Sequence, residues 1–170
     1  MGAVVLEPVT GDRSAWFPPS VLEILASPDV VEVLSVDPRQ PHEDGDDEDD
    51  EDTVRPLPSG PGWIGGYSVR GTARVPTPAR REAVGRALVA ANREGDGAAL
   101  CFDPHFGVRA TRGDRTAEFL ICFLCGNVRV VGPGSHADTY AIGPSAARLL
   151  RQELRRGGVG WLWFWRRWPG

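Results

Sequence analysis

The chain has no lysine: all nineteen of its basic residues are arginine. In a sequence rich in alanine, glycine and proline, this points to a GC-rich genome and a bacterial source. It also makes arginine a weak sign of guanidinium chemistry. Cysteine and histidine are scarce, with three of each. An odd cysteine count argues against a disulfide framework and for a reducing compartment, with the cytoplasm as the default. No apolar run approaches the ~20 residues needed to span a bilayer. The opening MGAVVLEPVTGDRSAW has no basic region leading into an apolar one, which predicts no secretory signal. Gly-x-Ser-x-Gly, His-Glu-x-x-His and the P-loop are absent. With histidine only at His42, His105 and His136, a nucleophile–histidine pair is hard to assemble. The arginines are dispersed and the aromatics form no RNP-type strand, so no nucleic acid is expected as a partner.

What is present fits one globular domain. At 170 residues the chain can bury a core without staples, and 41% apolar with 25% charged residues is ordinary composition. The net charge of −4 conceals a division. Nine of the ten residues from Glu43 to Asp52 are acidic, so that tract carries about −9 and the rest about +5. Like charge this dense resists burial and predicts a solvated, disordered loop over 41–62. Asp46, Asp47, Glu48, Asp49 and Asp50 are its candidate contacts for a basic protein partner; a solubilising spacer is the plainer alternative.

Residues 18–27 predict a short helix, with Ser20 and Glu23 at capping-box spacing. The β-branched run Val30 to Val36 predicts a strand closed by Asp37-Pro38, and Tyr67 to Val75 a second. The clearest helix is Pro78 to Glu94, capped by Thr77 and ended by Gly95. Val84, Ala87, Leu88 and Ala91 share one of its faces. Four strand-like runs follow: AALCF, GVRAT, AEFLICF and NVRVVG. A last helix spans about Pro144 to Arg156, with Leu149, Leu150 and Leu154 inward. Short connections forbid parallel crossovers among the four runs. The expected class is therefore α+β, an antiparallel β-meander with two or three helices packed on one face. Residues 1–17 form an N-terminal extension, 18–160 the domain, and 161–170 a tail.

Two motifs mislead. Gly60, Gly62 and Gly65 match G-x-G-x-x-G, but a proline-rich loop precedes them and a strand follows, the reverse of a dinucleotide site. Arg112-Gly113-Asp114 spells RGD where Gly-Asp is hairpin-turn chemistry.

The segment from Cys101 to Asn127 holds every cysteine. Cys122-Phe-Leu-Cys125-Gly126 has the spacing of a zinc knuckle, and Cys101 with His105 completes a four-ligand set if the two strands fold about Gly113. Against this, Leu120, Ile121, Phe123 and Leu124 suit a buried strand, on which Cys122 and Cys125 would point to opposite faces. Zinc ligands, core cysteines and a redox or nucleophilic pair remain open. Arg70, Arg109 and Arg129 sit within strands, where an arginine pairs with a carboxylate or occupies the solvated face.

Cys101, Phe102, Pro104, Gly107, Val108 and Arg109, followed by Ile121, Cys122, Phe123 and Cys125, resemble the signature C-F-x-P-R-H-G-[IL]-R … I-C-F-x-C. That signature marks a family of small uncharacterised bacterial proteins. VLEILASPDVVEVLSVDP and LLRQELRRGGV are similar to the family's opening helix and strand and to its closing helix. The resemblance implies a shared fold and no established activity. After Pro104 the family has Arg then His, while this chain has His105 then Phe106. On a strand that shift turns the side chain to the other face.

Beyond the resemblance lies WLWFWRRWPG. Trp161, Trp163, Trp165, Arg166, Arg167 and Trp168 suit packing on a protein surface, on the domain or on another chain, with weak membrane-surface contact as an alternative. The leading expectation is a non-enzymatic protein-binding module of regulatory, inhibitor or immunity type. The alternatives are a zinc-stabilised domain on Cys101, His105, Cys122 and Cys125, and a cysteine-dependent hydrolase or redox protein.

Overall fold

The computed structural model describes residues 16–39, 60–96, 101–133 and 138–160. Among them are three α-helices and a curled, antiparallel seven-stranded sheet. The elements run α1 (Pro19–Ala26), β1 (Val30–Val36), β2 (Trp63–Ile64), β3 (Tyr67–Arg74), α2 (Pro78–Glu94), β4 (Phe106–Arg112), β5 (Arg115–Cys122), β6 (Asn127–Val131), β7 (Asp138–Ala141) and α3 (Ala147–Arg156). The sheet order is β2-β3-β1-β4-β5-β6-β7. β4 to β7 form the expected meander. β1 lies between β3 and β4, so the connection carrying α2 crosses over it.

Several boundaries follow from local chemistry. Thr77 caps α2 through Arg80 N at 3.4 Å, Pro78 occupies its first turn, and Gly95 closes it on Ala91 O at 3.2 Å. α1 starts at Pro19 with no side-chain cap, so the expected Ser20–Glu23 capping box is not made. Its amides at Val21 and Leu22 both bond Pro18 O at 3.0 Å instead. A 3₁₀ turn over Pro144–Ala146 precedes α3, and Leu150 and Leu154 are buried as expected. Gly65 and Gly66 both have positive φ, 53° and 87°, and make the two-residue turn between β2 and β3. A primed turn of this kind matches strand twist and favours glycine at both positions. Gly65 of the apparent dinucleotide motif thus serves a hairpin turn.

Alternation places one set of strand residues under the helices. Val31, Val33, Ala73, Phe106, Val108, Ala110, Ala117, Phe119, Ile121, Val128 and Val130 pack there with Ile24, Leu25, Val84, Leu88, Leu150 and Leu154. Phe17, assigned to an extension by sequence, belongs to this core. It is 2% exposed, its ring lies 5.5 Å from those of Phe119 and Tyr140, and its amide donates to Asn92 Oδ1 at 3.1 Å. Two further expectations change. Cys101 and Phe102 precede β4 without joining a strand, and β7 supplies a strand that the sequence did not suggest.

The opposite face has a smaller cluster of Leu34, Val36, Ile64, Tyr67 and Leu120, with Val69 and Phe102 against it. The β2–β3 hairpin curls over this face. A Cβ built on Gly65 would meet Leu120 Cδ1 at 2.3 Å, and one on Gly107 would meet Ile64 Cδ1 at 3.1 Å.

Candidate functional site

On that second face the charged strand residues find partners. Glu32, Arg109 and Glu118 stand in one row across β1, β4 and β5. Arg109 donates to Glu118 Oε1 at 2.7 Å, Glu32 Oε2 at 3.4 Å and Trp63 O at 3.1 Å. Arg70 and Arg39 both pair with the carboxylate of Asp37, which is 5% exposed. Burial pushes that carboxyl up, but the arginine hydrogen bonds outweigh burial and hold it at about 2, below its usual 3.8. On the helix side Glu153 is 3% exposed and holds Arg80 and Arg156. Arg109, Arg70 and Arg80 tie separate parts of the chain together, while Arg39 and Arg156 pair locally. α3 also carries a shallow depression lined by Arg148, Arg151, Gln152 and Arg155.

The cysteines lie at one end of the second face. β5 ends at Cys122 and β6 begins at Asn127, paired across the ladder. The four residues between them form a turn in which Gly126 takes φ 67°. This break in the strand turns Cys125 back, and a disulfide joins it to Cys122 with Cα atoms 5.2 Å apart. Both cysteines are buried, at 2% and 5% exposure, while Leu124 between them is 67% exposed. Cys125 N also donates to Cys122 Sγ at 3.1 Å. Cys101 is free and exposed.

The approach to β4 is fixed over the same face. The Phe102 ring lies 6.2 Å from Tyr67 and 4.6 Å from the Arg129 guanidinium. Asn127 Nδ2 donates to Cys101 O at 3.3 Å. The His105 amide donates to Ile121 O at 3.2 Å, and its ring Nδ1 stands 2.9 Å from Asp103 O. Phe106 points into the main core. Alternation therefore puts the shifted histidine on the opposite side from the side chain that replaces it.

The four expected zinc ligands are not gathered. Cys122 and Cys125 are bonded to each other, and among the described residues no group of three or more His, Cys, Asp or Glu stands together to hold a metal ion. The odd cysteine count resolves into one short-range bridge, Cys122–Cys125, with Cys101 left over. Asp46, Asp47, Glu48, Asp49 and Asp50, together with Trp161, Trp163, Trp165, Arg166, Arg167 and Trp168, lie outside the described residues, as do His42 and His136. Among the described residues no helix is long and apolar enough to cross a membrane.

Sequence reasoning missed Asn127, the buried polar residue that links Cys101 to the strand end beside Cys122. Its only signal was an amide placed directly after C-x-x-C-G. No family model matches the chain, and no curated protein or solved structure matches it.

Proposed function

We propose that this protein is a thiol–disulfide exchange protein whose working couple is Cys122–Cys125, acting on a protein partner that docks at the turn between them. The observation that carries this reading is the short span of the bridge. The two cysteines are three positions apart, at a hairpin end already closed by pairing of Cys122 with Asn127. Chain entropy would credit a loop this short with about 2 kcal/mol, against ~3 kcal/mol for fifteen residues. The closure term grows with loop length, so a bridge across so few residues contributes among the least that a disulfide can. A bridge that adds so little to the fold is better suited to opening and closing. Leu124, exposed beside the sulfurs, offers the apolar contact a partner protein would meet first.

In the reductive direction the partner is a dithiol. Its thiolate attacks one sulfur, the Cys122–Cys125 bond breaks, and the second partner thiol resolves the mixed disulfide. The partner leaves oxidised, and this chain leaves with two thiols.

Equilibration of the full chain with glutathione buffers, read by thiol trapping, tests the reading. The pair is expected to titrate reversibly at a potential above about −300 mV, the region where structural disulfides give way to labile ones. The reduced protein should keep its far-UV circular dichroism and melt only a few degrees lower, at ~2–4 °C per kcal/mol for a chain of this size. A pair that reduces only when the protein unfolds would sink the reading.

A further inference from the structure

The oxidised couple is sheltered from bulk solvent, while the third cysteine, Cys101, is free and exposed. Asn127 and Cys122 are direct partners on antiparallel strands, so their side chains project to the same face with Cβ atoms ~5 Å apart. The side chain of Asn127 reaches the carbonyl of Cys101 at 3.3 Å. Cys101 and Cys122 therefore flank one amide on one face of the sheet. The backbone carrying Cys101 is anchored nearby. Phe102 is held between Tyr67 and Arg129, Pro104 is buried, and His105 bonds the carbonyl of Ile121, the residue before Cys122.

Building on the thiol–disulfide reading, we infer that Cys101 is the internal exchange cysteine of the couple, and that the chain alternates between a Cys122–Cys125 bridge and a Cys101–Cys122 bridge. The Cys101 thiolate attacks Cys122 Sγ, the sulfur of the residue paired with Asn127. The Cys101–Cys122 bond forms as the Cys122–Cys125 bond breaks, and the electron pair departs with Cys125 as a thiolate. The number of disulfides is unchanged, so the step needs no oxidant or reductant. Its consequence is a relay. Reactivity passes from exposed Cys101, through a buried sulfur, to Cys125 beside Leu124. In this state the Cys125 thiolate attacks a disulfide of the partner: the Cys125–partner bond forms as the partner's S–S bond breaks, and one partner sulfur leaves as a thiolate, while Cys101 opens and closes the site.

Single-cysteine deletions of the full chain test this. Cys125→Ser and Cys122→Ser proteins are oxidised with glutathione disulfide, blocked with N-ethylmaleimide, and mapped by peptide mass spectrometry. Most Cys125→Ser molecules are expected to carry a Cys101–Cys122 bridge, with little Cys101–Cys125 bridge in Cys122→Ser. A folded Cys125→Ser protein carrying only glutathione adducts, or equal bridging in the two variants, would overturn the inference. Wild-type protein gives a check that needs no folded variant. Non-reducing peptide maps of wild-type protein quenched in acid should contain a Cys101–Cys122 bridge beside Cys122–Cys125, and a map with Cys122–Cys125 alone would also overturn it. The two proposals fail separately. If Cys125→Ser bridges but the wild-type pair resists glutathione, the internal exchange stands and the redox role falls. If the wild-type pair titrates but Cys125→Ser does not bridge, the redox role stands and Cys101 has no part in it.

Discussion

On the helix-covered side of the sheet, alternate positions of β1, β3, β4, β5 and β6 are apolar, and three helices seal them from water. On the other side the same strands present a different list. It includes the row Glu32–Arg109–Glu118, a small cluster under a curled hairpin, and the Cys122–Asn127 pair. The first face has one physical task, to exclude water, and nearly every residue on it serves that task. The second is closed only in part, by one cluster that includes Ile64 and Tyr67 with Phe102 packed against it. The charged row and the disulfide collect where closure is partial. A group there can exchange with solvent or a partner without opening the main core.

Neighbouring residues on β5 make the largest test of that contrast. Phe119 is fully buried against Phe17 and the helices, while Leu120 lies on the other face against Gly65. Phe119→Ala is expected to lose about 4 kcal/mol and Leu120→Ala about 2 kcal/mol, since the hairpin over Leu120 can settle into the space while the sealed core cannot. Urea unfolding of both variants supplies the comparison. Equal losses would make the second face a core of the same rank and remove the distinction.

Acid offers a milder probe. The Asp37 carboxyl titrates at about 2 in the folded chain, below its ordinary 3.8. A lowered folded value means the stabilisation is fully present above about pH 4 and is lost as pH falls through about 2. The size should be on the order of 1–2 kcal/mol, reduced from the full shift because the Arg39 and Arg70 side chains are mostly exposed and their pairing is screened. Stability measured from pH 5 to pH 2 should fall more steeply in the wild type than in Asp37→Asn. Parallel curves would show that Asp37 is not the group responsible.

The main face was the legible one. Its 3.6- and 2-residue periods, the Thr77 cap and the Gly95 stop depend on local chemistry, and the α+β meander followed from them. The second face depends on long-range placement. Nothing around Arg109 indicates that Glu32, seventy-seven positions away, will stand beside it. Phe17 looked like part of an extension because its partners Asn92, Phe119 and Tyr140 are distant in sequence. The Cys122–Cys125 bridge was hidden in the sequence for a local reason. A run of six residues from Phe119 to Leu124, apolar but for the cysteine, reads as a continuous strand, which would set Cys122 and Cys125 on opposite faces. The glycine after them lets the chain turn, and the turn makes the bridge. β7 escaped notice because Asp138–Ala141 is short and mostly polar or half-buried, with no apolar alternation to mark it.

The smallest effect separates two views of the charged row. Arg109, Glu32 and Glu118 are roughly a quarter exposed, which leaves water to screen them. Exposed or half-exposed pairs of this kind contribute about 0.5–1 kcal/mol, and the two glutamates stand two strands apart, about 10 Å, near one Debye length at 0.1 M salt. Arg109→Met should therefore lose no more than about 1 kcal/mol in urea unfolding, and the gap to wild type should narrow in 1 M salt. The methionine retains most of the apolar stem, so what it removes is mainly the charge and its hydrogen bonds, including the one to Trp63 O. A loss well above 2 kcal/mol that persists in salt would mean that Glu32 and Glu118 are desolvated around their arginine. The row would then be a buried ionic core beneath the β2 hairpin, and the second face would be closed along its centre and open only at the cysteine end.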